Sequence, residues 1–411
     1  MSDSLSRSGP LLPKPPNAFL YWLAAKVCTP YLRLVYGLHI DRSGLAGLKG
    51  PVVVLSNHQG NTDFLITAAA LYPIRLNFMV TTYFFHHRLL AFLLRVMGGI
   101  PKRQFLPDTT AVRMCLGIAK RGGSLGIFPE GQVCYTGRNS TIDPSIAKLC
   151  KKLGRTVVVS AIRGNHLTYP KWAAGRTYHG RVECTAKILY TPAQLEALSV
   201  DEIYGGILGA LSYSEYEWQR ETRAVYKPQR NPDGLQSILY RCPACKTDFG
   251  VTAKNGVLIC ENCGYSVAFD PYCFFVQPDG VPPVFDNPAD WYTWQYTEAA
   301  QELAAGRTLR CRASLMRTVE GKFGYTPCGS GEMCADGSGI RFEGTCEGRP
   351  LRVAALVEHQ SNVTHNSTWH GVDIEGEGCN YLLVPDKMQK LGKFLAYYVE
   401  ARRRFQAAHR G

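Results

Sequence analysis

Two groups of residues in this 411-residue chain have types and spacings suited to chemistry. The first is the run Asn57-His58-Gln59-Gly60-Asn61-Thr62-Asp63, which follows the apolar stretch VVVLS and leads into an apolar helical run. A turn that leaves a buried strand and enters a helix is where α/β scaffolds usually hold reactive groups. Four residues separate His58 from Asp63. In a loop, that spacing lets the carboxylate reach back to one imidazole nitrogen, leaving the other to accept a proton from an incoming hydroxyl. The same spacing fits a loop histidine followed by an aspartate that caps the helix N-terminus, and Asp63 is placed to serve both ends.

The second group is Cys242-Pro-Ala-Cys245 and, after fourteen residues, Cys260-Glu-Asn-Cys263. Two such knuckles supply four thiolates for a tetrahedral zinc, and the doubling argues against a redox dithiol. Four sulfur ligands leave no open coordination position, so the expected role is structural. A segment of about thirty residues builds little core of its own, and a metal substitutes for one. The pattern resembles a zinc ribbon.

Three further segments follow the His–Asp turn in order: Gly98-Gly-Ile-Pro-Lys102-Arg103, Phe128-Pro129-Glu130-Gly131-Gln132, and the buried-strand run VVVSAIRGN from Val157. Taken together with the turn, this ordered set resembles the PlsC-type glycerolipid acyltransferases, which include the lysophosphatidic acid acyltransferases. The resemblance covers roughly residues 16 to 225. It implies that His58 is the general base and that Asp63 orients it. It further implies that Arg103, with Lys102 beside it, meets the acceptor phosphate, and that Phe128, Pro129, Glu130 and Gly131 help form the acceptor site. The cosubstrate implied is a thioester, acyl-CoA or acyl-ACP, and the acceptor a lysophospholipid, with 1-acylglycerol-3-phosphate the first candidate. The chain departs from the family pattern at Val133 and Cys134, where an Arg and a Ser usually follow, and at Ser160, where Pro is common. Arg138 stands close enough in sequence to supply the missing cation. Because a thioester is already activated, general-base removal of the hydroxyl proton suffices. Cys134 therefore reads as a small core residue rather than a nucleophile.

The elements that must position these groups alternate between short β-rich runs and helical runs across residues 38 to 230, which marks an α/β domain. The β-type runs are 52–57, 76–81, 124–130, 156–162 and 182–190; helices are expected from Asp63 and Pro144. The expected organisation is a flexible leader over 1–16, an acyltransferase domain with an N-terminal interfacial helix over 17–230, and a zinc ribbon over 238–270. A C-terminal antiparallel β domain over 285–411 follows, with strands expected around 340, 351, 370 and 380. A closing helix from about Pro385 completes it, and the whole is loosely similar to a pleckstrin-homology or GRAM-type module. The fold class expected is thus a glycerolphosphate-acyltransferase-like α/β domain with two smaller appendages.

Charge and cysteine usage bound the setting. Residues 1–230 hold 28 Lys and Arg against 13 Asp and Glu, whereas the remainder holds 18 against 20. An anionic partner therefore belongs to the first domain, and lipid headgroups or the phosphates of coenzyme A fit that charge. Fifteen cysteines, an odd number scattered along the chain, suit a reducing cytosol. No signal peptide is visible at the N-terminus. The segments from Ala18 and from Tyr83 are bulky and apolar but broken by Lys26, Arg33, Arg88 and Arg95. That mixture suits helices lying in a membrane interface, and equally a buried helix. The expected location is peripheral, on the cytoplasmic face of a membrane. Two other classes stay open: a nucleic-acid-binding or scaffold protein built around the ribbon, and a catalytically degenerate lipid-binding relative. The ribbon mixes Arg241, Lys246 and Lys254 with Asp248, Glu261 and Asp270. It has no basic face, so nucleic acid is not expected as a partner.

Overall fold

A computed structural model describes residues 12–173, 175–376 and 379–409, so most of the expected leader lies outside the described residues. The first domain is built on a seven-stranded sheet. Its strands are β1 (Leu38–Gly44), β2 (Val52–Ser56), β3 (Leu76–Thr81), β4 (Ile100–Lys102), β5 (Ser124–Ile127), β6 (Thr156–Arg163) and β7 (Val182–Tyr190). Their order is β1-β7-β6-β2-β5-β3-β4, and every neighbouring pair is parallel except β6 with β7. β2 lies at the centre with all five residues buried. A run of Val and Leu with no polar alternation is what a parallel strand covered on both faces requires. One layer of the core, including Ile66, Val54 and Val158, lies on the α2 side, and a second, including Val53, Ile118 and Ile146, lies on the other.

Three helices shape the side of the sheet that matters for function: α1 (Ala18–Tyr36), α2 (Asp63–Leu71) and α3 (Arg88–Val96). Asn17 caps α1 by accepting from Leu20 N, and the chain leaves the helix through Gly37 in the left-handed region at φ 62°. The apolar segment from Tyr83 is not one helix. A 3-10 turn runs from Thr82 to His86, and His87 then caps α3 by accepting from Leu90 N at 3.3 Å. No described helix is long and apolar enough to cross a membrane.

The Cys-paired segment forms a small antiparallel sheet of β8 (Val251–Lys254), β9 (Val257–Cys260), β10 (Ser266–Phe269) and β11 (Phe275–Val276). Its core is shared with its neighbours: Leu258, Val267 and Phe269 pack with Trp172 of the first domain and Trp291 of the Pro288–Ala304 helix. A buried ion network ties the ribbon to both later helices, since Arg241 pairs with Asp248 and Glu302 while Lys393 pairs with the same two carboxylates.

The C-terminal part is a second seven-stranded sheet, wholly antiparallel: β12 (Leu309–Thr318), β13 (Tyr325–Asp336), β14 (Gly339–Cys346), β15 (Arg349–Leu356), β16 (Thr364–Asn366), β17 (Gly371–Glu375) and β18 (Asn380–Pro385). The Lys390–Ala408 helix covers it, burying Leu391, Phe394, Leu395 and Tyr398 against Leu315, Met333 and Phe342. Two sequence expectations are corrected here. Pro385 does not open the closing helix; it ends β18 paired with Ala313, and the helix begins five residues later. β12 and β13, the longest strands of the sheet, were not anticipated.

Candidate active site

The loop after β2 is held open by its own side chains. Asn57 is fully buried and bridges to β6: its Nδ2 donates to Ile162 O at 2.8 Å, and its Oδ1 accepts from Ile162 N at 2.7 Å. This pins the chain so that the next residue, His58, emerges at the C-terminal end of the central strand. The backbone N–H of His58 donates to Glu130 Oε1 at 2.9 Å, and its carbonyl accepts from Cys134 N at 2.8 Å. Its ring stacks on Phe128, with centroids 4.5 Å apart and planes 26° from parallel.

Asp63 opens α2 and turns its carboxylate back into the loop. Oδ2 lies 2.8 Å from His58 Nδ1 and also accepts from Gln59 N at 2.6 Å and Gly60 N at 2.9 Å, while Oδ1 accepts from Asn165 Nδ2 at 2.5 Å. The side chain is wholly buried, at the end of a helix whose dipole favours negative charge. A carboxylate surrounded by donors accepts from the imidazole as well, which puts the proton on Nδ1 and makes Nε2 the basic nitrogen. Among the described residues Nε2 has no hydrogen-bond partner, and the His58 side chain keeps 21% of its surface. It faces a cavity of about 1740 Å³ whose apolar walls come from α1, α2, α3 and β3.

A second tier holds this pair. Glu215 is buried; it accepts from Gln59 Nε2 and from Gly164 N, and Gln59 Oε1 in turn accepts from Asn165 N. Burial pushes the Glu215 carboxyl up to about 8, opposed by the Gln59 hydrogen bond. Nothing near His58 in the sequence pointed to Glu215, because it is 156 positions from Gln59.

The other expected site residues divide. Phe128, Pro129, Gly131 and Lys102 line the cavity with His58. Glu130 also borders it, but is only 2% exposed. Its two oxygens accept from the backbone N–H groups of His58 and Ser140. Burial lifts its carboxyl to about 8, and its two backbone hydrogen bonds brace the histidine loop from beneath. Arg103 and Arg138 each pair with a carboxylate. Arg103 is not among the residues lining the cavity; its Nε binds Glu375 Oε1 at 2.6 Å, at the end of β17 and next to Lys102, which does line it. Arg138 is not among them either, pairing with Asp290 at 2.6 Å and donating to Thr293 at 3.0 Å. Cys134 is sealed in the core, where burial holds its thiol well above the usual thiol range; a neutral buried thiol is no nucleophile.

The four cysteines of the ribbon come together with all sulfurs within 4.8 Å of one another. Cys242 Sγ lies 3.7 Å from Cys263 Sγ, and Cys245 Sγ the same distance from Cys260 Sγ. Thr247 and Asn262 hydrogen-bond to Cys245 and pull its thiol down, whereas burial pushes those of Cys242 and Cys260 up.

Comparison with known proteins bears on the same segment. The acyltransferase family profile matches residues 35–163, which include the whole His58–Asp63 turn and the Phe-Pro-Glu-Gly segment. This chain carries an acyltransferase domain. Among curated relatives, it is 27% identical over 148 residues to the chloroplastic 1-acyl-sn-glycerol-3-phosphate acyltransferase LPAT1 of Arabidopsis thaliana, covering 35% of this chain and 41% of that one. It is also 27% identical over 149 residues to the chloroplastic enzyme BAT2 of Brassica napus, covering 34% and 42%. The chain therefore spans about two fifths of the length of the curated relatives it matches. Among solved structures, the PlsC acyltransferase of Thermotoga maritima aligns with a TM-score of 0.40 at 16% identity, over 46% of this chain and 77% of that one. Within the acyltransferase domain the matched region stops at Arg163, so Asn165, which donates to Asp63, and Glu215, which holds Gln59 and Gly164, lie outside it.

Proposed function

We propose that this protein transfers a fatty acyl group from acyl-CoA or acyl-ACP to the hydroxyl of a lysophospholipid, 1-acylglycerol-3-phosphate first among acceptors. The observation that carries the reading is the buried Asp63 carboxylate bonded to Nδ1 of a histidine that lines the cavity, which leaves Nε2 unpaired. In the reaction, Nε2 takes the hydroxyl proton as the oxygen attacks the thioester carbonyl. The C–S bond then breaks, and the imidazolium returns the proton to the departing thiolate. General-base help of this kind contributes roughly a hundred- to ten-thousandfold. The apolar cavity walls suit the acyl chains, and the polar rim suits the headgroup.

The same reading places the chain on a membrane surface. α1 exposes Phe19, Trp22, Leu23, Val27 and Leu34, and α3 exposes Leu89, Phe92 and Leu93. Lys26, Arg33, Arg88 and Arg95 lie among them. Exposed bulky apolar groups set among cations suit immersion to headgroup depth in anionic lipid, here the cytoplasmic leaflet. The cysteine cluster is read as a structural zinc site. Zn–S bonds of about 2.3 Å in a tetrahedron give sulfur–sulfur edges of about 3.8 Å, close to the 3.7 Å of the two nearest pairs. The C-terminal sheet with its covering helix is read as a pleckstrin-homology or GRAM-type module.

Purified full-length chain, offered radiolabelled acyl-CoA or acyl-ACP and 1-acylglycerol-3-phosphate in anionic vesicles, is expected to form the diacyl product. It should sediment with those vesicles in low salt and release in high salt. No product with either donor against any lysophospholipid would overturn the reading.

A further inference from the structure

The C-terminal β domain meets the acyltransferase domain at the hairpin of β12 and β13. Thr318 and Tyr325 are the last paired residues of these strands, so residues 319–324 form its tip. The tip is fixed to the turn that opens α3, because Gly321 N donates to His86 O at 3.1 Å. At the base of the hairpin Tyr325 stacks on Tyr83, with centroids 5.6 Å apart and planes 20° from parallel. Gly321 and Gly324 take φ of 81° and 91°, a backbone that side chains strain, and they bracket Lys322 and Phe323. Phe323 is thereby carried outward. It keeps 66% of its surface exposed, and its ring lies 6.1 Å from the rings of both Tyr83 and His87.

The helix that starts at His87 continues this surface. Leu89, Phe92 and Leu93 of α3 are exposed, and their i, i+3, i+4 spacing puts them on one face. Ala91 is the one residue of α3 that is buried, so the helix turns its apolar side outward rather than into a core. Single exposed apolar residues are ordinary, whereas a contiguous group marks an interaction surface. What covers it follows from what it borders. Phe84, Leu93 and Phe323 are exposed and also line the cavity that holds His58, so they stand at its mouth. A protein partner seated there would close the cavity, while a bilayer would open it to lipid chains. Charge agrees with a bilayer, since Arg88 and Arg95 are exposed at the two ends of α3 and Lys322 adjoins Phe323. Glu320 is the one anion of the tip, and with Lys322 it limits immersion to headgroup depth.

We propose that the β12–β13 tip enters the membrane interface together with α3, with Phe323 leading, so that the cavity mouth between them opens into the leaflet. The membrane face then spans both domains, and the C-terminal β domain attaches through a hairpin rather than through a headgroup pocket. This rests on the membrane-surface reading above.

The test places the fluorescent amino acid dansylalanine at position 323 of the full-length chain and adds vesicles of phosphatidylcholine and phosphatidylglycerol. Its emission should shift to the blue, and a nitroxide high on the acyl chain of the phosphatidylcholine should quench it severalfold. The same probe at the rim residue Phe84 should respond likewise. Phe323→Ser should weaken vesicle binding about tenfold with Tm unchanged, and Phe323→Trp should retain it. None of these readouts needs turnover, so they stand apart from the acyl-transfer assay. Wild type that sediments with the vesicles while the probe at 323 stays unquenched would overturn the proposal and leave the membrane reading in place. Wild type that binds no vesicles would overturn both. A change from dimer to monomer in Phe323→Ser, with vesicle binding kept, would assign this face to a second copy of the chain and overturn the proposal as well.

Discussion

Replacing Asp63 by Asn should lower turnover by two to four orders of magnitude while leaving the fold in place. Asn is isosteric, and its carbonyl oxygen can accept either from Gln59 N and Gly60 N, the backbone donors at Oδ2, or from Asn165 Nδ2 at Oδ1, but not from both sets. What changes is the proton on the imidazole. With the carboxylate present, Nδ1–H donates to it over 2.8 Å and Nε2 is free to act as base. An amide placed there can turn its NH2 toward Nδ1, which favours the other tautomer, and Nε2 then carries the proton it should be accepting. The analogous exchange in Ser-His-Asp hydrolases costs about 10⁴ in kcat for this reason. The measurement is kcat at saturating donor and acceptor with Tm as a fold control. A loss below about fivefold would mean that Asp63 serves only the loop and the helix end.

Zinc removal should be the largest structural effect. The ribbon has four short strands, and its buried residues share a core with Trp172 and Trp291 from outside it. Structural zinc contributes on the order of 10 kcal/mol in small thiolate sites, far more than strands of this size supply. Cys245→Ser, or a strong chelator on the wild type, should therefore abolish one bound zinc per chain and lower Tm by more than about 10 °C. Acyl transfer should fall too, because Trp172 adjoins Lys171 on the cavity wall and stacks on Phe269 of β10 at 6.1 Å. Full-length protein with no zinc by elemental analysis, or an unchanged melting profile after chelation, would refute the assignment.

What could be read from the sequence was local. The His58–Asp63 pair, the Phe128–Gly131 segment and the two cysteine knuckles each lie within a few residues, so spacing alone limits their geometry. β2 was equally legible, since a short β-branched run ending in a polar loop suits a strand buried on both faces. Where a side chain points depends on distant partners, and there the sequence is silent. Arg103 pairs with Glu375, 272 positions later. Arg138 pairs with Asp290 in a helix of the next segment. The mouth of the cavity joins Phe84 to Phe323, which no window of sequence contains. β12 alternates buried Leu309, Cys311, Ala313 and Leu315 with exposed Arg310, Arg312 and Ser314, a period of two that was available. β13 offers no such signal, since Pro327, Gly329 and Gly331 interrupt it, and it is held by pairing with β12 and β14. Pro385 suits a first helical turn and equally the end of a strand; its register opposite Ala313 decides for the strand.

The central claim is that the imidazole of His58 removes the acceptor's proton, and a single comparison tests it. Wild type and His58→Ala, matched in Tm and zinc content, are mixed with labelled acyl-CoA and 1-acylglycerol-3-phosphate under single-turnover conditions. The account predicts that the variant binds both substrates but forms diacyl product at least a hundredfold more slowly. Equal rates from the two proteins would contradict it.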